Sequence, residues 1–444
     1  MRQPNNNPRT RHLGGKRRFD PRQGPPGQRF QQAPGANRFA GPDRRPRPWD
    51  RKPALPDENI GNRASPPRSP APDEDMDLRA NGNRLAEPQW ARFDGFVAPH
   101  LREHKAYIPG EQPQDPGIIK LNTNENPYPP SPAVERAILK ELEGGGGGLR
   151  RYPEPTSRKV REILGAQAGI AADRIVVGNG SDEILMMCVR AFGRADRPVV
   201  CAEPSYTLYS VLARSMGFPV RMMELTDPWD IPEDAPHEGS LAFLACPNAQ
   251  SGTVFSSAAL EAFVETFKGV VVLDEAYAEF AENDCLPLMK RSGNVILVRT
   301  LSKSHSLAGL RVGFALCGGE LAGGLLKVKD SYNEDRLAQA GAAAALEDEA
   351  YLRGNVGKIK AERERLKGLL EGLGLPVGPS QANFLLVDFG GKEKAAGVLD
   401  KLREKRILVR HFPQIPRLAG SLRITVGRPE EGDGLLTALK EILS

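Results

Sequence analysis

Between Val295 and Ala315 the chain reads Val-Ile-Leu-Val-Arg-Thr-Leu-Ser-Lys-Ser-His-Ser-Leu-Ala-Gly-Leu-Arg-Val-Gly-Phe-Ala. An apolar run, Val295 to Val298, breaks into a polar loop in which Lys303 stands among the hydroxyls of Thr300, Ser302, Ser304 and Ser306. Arg311 follows, just before a second apolar run, Val312 to Leu316. A lysine on a loop is ordinarily a solvated surface charge. This one lies just past a strand and close to a fixed cation, where burial and like charge favour the neutral, nucleophilic amine. The hydroxyls and Arg311 suit a phosphate held beside that amine. Amine and phosphate cradle together point to a Schiff base with pyridoxal phosphate.

Three further stretches carry compatible chemistry. Val270-Val-Val-Leu-Asp-Glu-Ala-Tyr277 is a buried-looking strand that ends in Asp274, with Tyr277 three residues on. A carboxylate at the C-terminal edge of an α/β sheet lies where such sheets bind ligands. Under a pyridine ring it would keep the ring nitrogen protonated and the ring an electron sink, while Tyr277 could donate to the ring's phenolic oxygen. Equally, Asp274 could cap a turn and Tyr277 could simply pack. Gly178-Asn-Gly-Ser-Asp-Glu183 reads as a strand-to-helix turn whose free N–H groups face a phosphate. It matches neither a Walker A sequence nor GxGxxG, which argues against nucleotide and dinucleotide sites. Glu203-Pro-Ser-Tyr206 offers an aromatic able to stack on a flat cofactor or to fill the core.

These stretches need a frame. Short apolar runs at 175–177, 199–201, 220–223, 241–245, 270–273 and 295–298 alternate with helical segments, Tyr206 to Met216 and Leu260 to Phe267 among them. That alternation predicts an α/β fold with a mainly parallel sheet, of seven-stranded type, sandwiched by helices. Pro132 to Leu142 is expected to be a helix, with Val134, Ile138 and Leu142 on one face. Beyond Asp330 a long helical region, strands at 383–387, 407–409 and 422–426 and a closing helix predict a smaller α+β domain. The expected division is a tail (1–92), an N-terminal arm joining the small domain (93–130), a large cofactor-binding domain (131–331) and a small C-terminal domain (332–444).

The 444 residues carry a formal net charge of +5, and the basic excess lies in the first 92. That stretch is crowded with Pro, Arg, Asn, Gln and Gly and poor in aliphatic residues, so it is expected to be disordered. Arg-rich tails can also hold RNA or an acidic surface. No run of about 18 apolar residues marks a membrane span. The five cysteines lie singly within or beside apolar runs, without a CxxC pair, as expected of reduced thiols in a cytoplasmic protein. Histidines are also scattered, and no metal site is expected.

The stretches LNTNENPYP (121–129), RYPEP (151–155), GNGSDE (178–183), DEAYAEF (274–280), RTLSKSHSLAGLR (299–311) and LRITVG (422–427), in this order, resemble the fold-type I pyridoxal-phosphate aminotransferases. Within them the chain looks like the histidinol-phosphate subfamily. The resemblance runs from about residue 95 to the end. It implies that Lys303 holds pyridoxal 5'-phosphate covalently and shuttles the substrate proton. It implies that Asp274 pairs with the pyridine nitrogen, Tyr277 with the phenolic oxygen, and Tyr206 with the ring face. Ser181, Asp182 and Glu183 at the helix start, with Thr300, Ser302 and Arg311, would serve the phosphate. Tyr152 would reach the cofactor phosphate of the other subunit in a homodimer. Arg423, Arg410, Tyr128 and Asn124 would face the substrates, an amino-alcohol phosphate and glutamate or 2-oxoglutarate.

One departure stands out. The usual Asn-Asn-Pro-Thr-Gly is Asn248-Ala249-Gln250-Ser251-Gly252 here. Ala249 replaces the asparagine that normally bonds the phenolic oxygen, so that either Asn248 substitutes or Tyr277 acts alone. Gln250 replaces the usual proline, which puts a cis bond there in doubt. An aminotransferase for aromatic amino acids, or a threonine-phosphate decarboxylase, would share every cofactor residue. A reading of another class is an RNA-associated protein acting through the basic tail.

Overall fold

The computed structural model describes residues 95–444; the tail expected over 1–92 lies outside them. Among the described residues twelve strands run in chain order: β1 (Ile119–Lys120), β2 (Ile175–Asn179), β3 (Val199–Glu203), β4 (Val220–Glu224), β5 (Glu238–Ala245), β6 (Lys268–Asp274), β7 (Val295–Thr300), β8 (Val312–Cys317), β9 (Phe384–Asp388), β10 (Ile407–Leu408), β11 (Arg410–His411) and β12 (Ser421–Thr425). Seven form the central sheet in the order β2-β8-β7-β6-β5-β3-β4. All pairings are parallel except those of β8, which is antiparallel to both its neighbours. Five of these strands, β2, β3, β5, β7 and β8, have nearly every residue buried, as a sheet covered on both faces requires. Alternate residues face opposite ways: Val200, Ala242, Val271 and Leu297 enter one core, and Cys201, Phe243, Val272 and Ile296 the other.

The parallel strands deliver their C-terminal ends, and β8 its N-terminal end, to one edge of the sheet. Asp274 closes β6, Thr300 closes β7, Arg311 precedes β8, and β2 runs straight into the helix Gly180–Phe192. The functional stretches are brought together by this topology rather than by nearness in sequence.

The helix Pro132–Leu142 begins as expected, with Pro132 at its first turn and the Ser131 hydroxyl accepting from the Ala133 N–H at 3.1 Å. The long helical region is two helices, Arg336–Glu347 and Glu349–Glu371. Asp348 divides them: it ends the first and caps the second by accepting from the Tyr351 N–H at 3.2 Å. Ala338, Ala342, Ala343 and Leu346 of the first are buried in the core under the central sheet. In the second helix, Ile359 is buried with the sheet's other core, whereas Leu366 and Leu370 join a separate core with β9, β12 and the closing helix Pro429–Leu443. Helices Arg158–Ala168 and Gly319–Val328 were not anticipated.

β11, β12 and β9 form an antiparallel sheet, while β1 pairs in parallel with β10. The N-terminal arm is therefore stitched to the C-terminal sequence. All five cysteines are buried and free. Among the described residues no helix is long and apolar enough to cross a membrane, and no cluster could hold a metal ion. Cis peptides occur at Glu203–Pro204 and Cys246–Pro247.

Candidate active site

Lys303 leaves the β7–β8 loop half-buried, and its ammonium donates to the Thr123 carbonyl of the arm at 3.0 Å. The loop is pinned from below: Asn126 Nδ2 donates to the Lys303 and Ser304 carbonyls at 3.0 and 3.1 Å. Burial, reinforced by the Arg423 guanidinium, lowers the Lys303 pKa to about 8. Its amine is thus poised far closer to neutrality than a surface lysine.

Asp274 is buried at the end of β6. Burial raises its carboxyl to about 6, against the lowering effect of the Tyr209 hydroxyl, which donates to Oδ2 at 2.7 Å, and of the Ala276 N–H, which donates to Oδ1 at 3.1 Å. At neutral pH it is an anion able to accept a further N–H. Tyr209 was not foreseen. It lies three residues beyond Tyr206, and the sequence alone does not say which of two tyrosines in one helical turn faces the strand ends. The rings of Tyr206 and Tyr209 meet edge to face at 5.5 Å, and Tyr107 meets Tyr206 likewise at 5.5 Å.

The opposite end of the site is a cationic, hydroxyl-rich cradle. Thr300 and Ser302 share a hydrogen bond at 3.0 Å, and Arg311 Nη1 reaches the Ser302 hydroxyl at 3.5 Å. Arg311 holds a left-handed backbone, φ +56°, which turns the loop back into β8. Asp182 accepts from the Tyr206 hydroxyl at 3.2 Å and pairs with Arg311 at 3.4 Å. Glycines make the closeness possible. A Cβ on Gly180 would strike the Arg311 guanidinium, and one on Gly313 would lie 2.5 Å from the Gly180 carbonyl carbon and closer still to the Ser181 nitrogen.

Glu183 serves otherwise than expected. Its carboxylate caps the Asn179 N–H and accepts from Asn333 Nδ2 at 2.9 Å. It caps the helix start, where its negative charge would oppose a phosphate. Asn248 is likewise committed. Fully buried, it donates to the Pro204 carbonyl at 3.0 Å and accepts from the Gln250 and Ser251 N–H groups at 2.8 and 3.1 Å. Its side chain builds the turn that Ala249 and Gln250 occupy.

Arg423 on β12 donates to the Ala249 carbonyl at 2.8 Å, to Gln250 Oε1 at 3.4 Å and to the Asn122 carbonyl at 3.4 Å, while its buried Nε has no partner. Arg410 stands directly across the β11–β12 pair from it, and both guanidinium groups lie over the Phe412 ring, at 5.4 and 5.2 Å. Two adjacent guanidinium groups over an aromatic form an anion-seeking surface. Asn124 bonds Tyr277, at 2.9 Å from Nδ2 to the hydroxyl. The Tyr128 ring is covered by the Lys358 ammonium at 4.9 Å. Tyr152 is 76% exposed and stacks on Tyr332, with centroids 4.2 Å apart.

The donor set is that of an enzyme holding a flat, phosphorylated aldehyde. An activated amine, a buried carboxylate, a phenol and a phosphate cradle share one sheet edge, with two arginines facing them. Comparison makes the class specific: residues 116–439 match the family described as aminotransferase class I and II, and the chain belongs to it. The histidinol-phosphate aminotransferase of Geobacter sulfurreducens is 45% identical over 76% of this chain and 96% of its own length. Histidinol-phosphate aminotransferase 1 of Nostoc is 46% identical over 76% and 95%. Among solved structures, histidinol-phosphate aminotransferase from Sinorhizobium meliloti, in complex with pyridoxal-5'-phosphate, is 29% identical with a TM-score of 0.67, covering 73% of this chain and 90% of that one. An L-threonine-O-3-phosphate decarboxylase from Porphyromonas gingivalis, 21% identical with a TM-score of 0.64, shares the fold.

Proposed function

We propose that the chain is a pyridoxal-phosphate-dependent transaminase that exchanges L-histidinol phosphate and 2-oxoglutarate with imidazole-acetol phosphate and L-glutamate, in histidine biosynthesis. The observation that carries this is the buried amine of Lys303, its pKa lowered to about 8, at the same edge of the sheet as Asp274 and Arg311. Relatives of 45 and 46% identity bearing that name select the substrate. The decarboxylase is only a fold neighbour, the aromatic-substrate reading has no comparable support, and the RNA reading rests on residues outside those described.

Pyridoxal phosphate, when bound, supplies an aldehyde and an electron-withdrawing ring. The protein's part is to hold and orient. Ser181, Thr300, Ser302 and Arg311 would take the phosphate, Asp274 the ring nitrogen's proton, Tyr277 the phenolic oxygen and Tyr206 the ring face. Lys303 acts twice, as the nucleophile at Nζ and then as the base that takes a proton at that same nitrogen. Arg423 and Arg410 would take the anionic end of each substrate, a phosphate in one half-reaction and a carboxylate in the other.

The enzyme is proposed to work in the cytoplasm as a homodimer, with Tyr152 crossing to the partner's phosphate cradle. Large and small bodies are proposed to meet along the helix Glu349–Glu371. A transamination panel of histidinol phosphate, phenylalanine and threonine phosphate, each with 2-oxoglutarate, tests the substrate. Histidinol phosphate should be turned over fastest. Faster turnover of phenylalanine, or carbon dioxide release from threonine phosphate, would overturn the assignment.

A further inference from the structure

Tyr277 needs its hydroxyl proton aimed outward if it is to donate to anything in the pocket, and its surroundings decide that direction. Asn124 is 1% exposed and adopts the left-handed backbone, φ +55°. Its backbone N–H donates to the Thr425 hydroxyl at 3.0 Å, and its carbonyl accepts from Asn383 Nδ2 at 2.9 Å. Thr425 Oγ1, already accepting that N–H, turns its own proton to Asn124 Oδ1 at 3.1 Å. In this arrangement Oδ1 is the accepting end of the amide. With Oδ1 committed to Thr425, Nδ2 must face Tyr277, and it donates to the phenol oxygen at 2.9 Å. A phenol whose oxygen already accepts keeps its single proton for another acceptor. Had the amide been reversed, the Tyr277 proton would point back at Asn124. Ala249, buried in the same apolar cluster as Tyr277, offers no side-chain donor or acceptor.

We propose that Asn124 is a positioning residue that fixes the hydrogen-bond polarity of Tyr277, through a one-way chain from Thr425 to Asn124 to the phenol, so that the Tyr277 proton is presented to the cofactor's ring oxygen. Asn124 thereby acts on the substrate only through Tyr277. The proposal rests on the pyridoxal-phosphate reading above.

The test uses the holoenzyme and two readouts other than turnover: the pH midpoint of the visible band of the lysine-bound cofactor, and the rate of cofactor loss on dilution. Asn124→Asp keeps the shape but replaces the donor by an acceptor, which draws the Tyr277 proton inward. Its midpoint should move upward to the value of Tyr277→Phe, because an anionic ring oxygen without a donor holds its shared proton more tightly. Cofactor retention should weaken about tenfold in both variants, as for one lost hydrogen bond to a charged group. In a Tyr277→Phe background, Asn124→Asp should change the midpoint no further. Asn124→Gly, which tolerates the left-handed backbone, decides the matter if the aspartate variant fails to fold, and should shift the midpoint in the same direction by less. A wild-type midpoint in Asn124→Asp, or full additivity with Tyr277→Phe, would overturn the proposal. Borohydride labelling of Lys303 in the wild type separates the two readings. A labelled lysine with an unmoved midpoint rejects only the role of Asn124, whereas no labelled lysine rejects the cofactor assignment itself.

Discussion

At the scale of the residue, burial is what moves the ionisable groups away from their ordinary charge. Lys303 is the first case. Lys303→Ala removes both nucleophile and base, so turnover should fall by roughly a hundredfold or more from loss of the acid–base role alone. Its thermal stability should stay near that of the wild type. Peptide mapping after borohydride reduction should find pyridoxyl on Lys303, and label on another lysine would reject the assignment. Glu334 is the second case. It is 1% exposed, and neither carboxylate oxygen has a hydrogen-bond partner among the described residues. Burial raises its pKa from 4.5 to about 8, with Glu183 and Asp335 adding to the rise and Arg311 and Lys329 opposing it. The folded state therefore binds this proton more tightly than the unfolded state. The stability it confers is fully present below about 4.5 and is lost as pH rises through about 8. Glu334→Met should remove that dependence and raise stability at pH 8 by about 1–3 kcal/mol, the cost of leaving such a group unmatched. Urea melts of both cofactor-free proteins at pH 5 and pH 8 would measure it, and the contribution of Asp274 cancels in the difference.

At the scale of the element, the site depends on how closely the helix Gly180–Phe192 approaches β8. A methyl group on Gly313 cannot coexist with the present position of Gly180 and Ser181. Gly313→Ala should therefore push the helix start away from Arg311. Cofactor phosphate affinity should drop, and stability should fall by about 1–3 kcal/mol, as for an overpacked core; calorimetry of pyridoxal-phosphate binding and a urea melt would show both. Much of this framework is legible in the sequence, because Val-, Ile- and Leu-rich runs of strand length, each followed by a polar turn, announce a parallel sheet. The Lys303 loop, Asp274 and the turn at 178–183 announce themselves by type. Less legible is what a polar residue does once the chain closes around it. Glu183 looks like part of an anion site and is a cap, because its reach to the Asn179 N–H depends on backbone geometry. Asn124 looks like a substrate contact, yet its partners Thr425 and Asn383 lie far away in sequence. The helix Arg158–Ala168 has a legible apolar face, with Val160 and Leu164 buried, which the proline-rich run before it masks.

At the scale of the whole molecule, described residues from β1 to the closing helix account for the fold and the site. A chain shortened to begin at Phe93 should express in soluble form and transaminate at nearly the full rate. Gel filtration and the substrate panel would test this, and loss of either property would give the first 92 residues a role in the fold. The proposed dimer makes a sharper claim. Tyr152 and Tyr332 form an exposed aromatic stack, with half-exposed Leu149 nearby in sequence, the kind of surface that partners cover. If Tyr152 completes the neighbour's cradle, mixing Lys303→Ala with Tyr152→Phe should yield hybrid dimers in which one site lacks both groups and the other is whole. Assays after subunit exchange should then exceed both parents, whereas no recovery would confine Tyr152 to its own subunit.

The pairing of β1 with β10, and of Asn124 with Thr425 across 301 residues, has a consequence for synthesis. A ribosome delivers the arm long before β10 and β12. The central sheet can assemble while the chain is still being made, since its strands end at Cys317. The arm is completed later: Asn124 and Asn126 can meet Tyr277 and the Lys303 loop in mid-chain, but β1 waits for β10 and Asn124 for Thr425. Closure of so long a loop is a late and slow event. A nascent chain stalled with Thr425 still inside the exit tunnel should already resist protease across the sheet yet be cut within residues 119–126, and should take up pyridoxal phosphate only after release. Catalytic competence thus waits until residue 425 has left the exit tunnel.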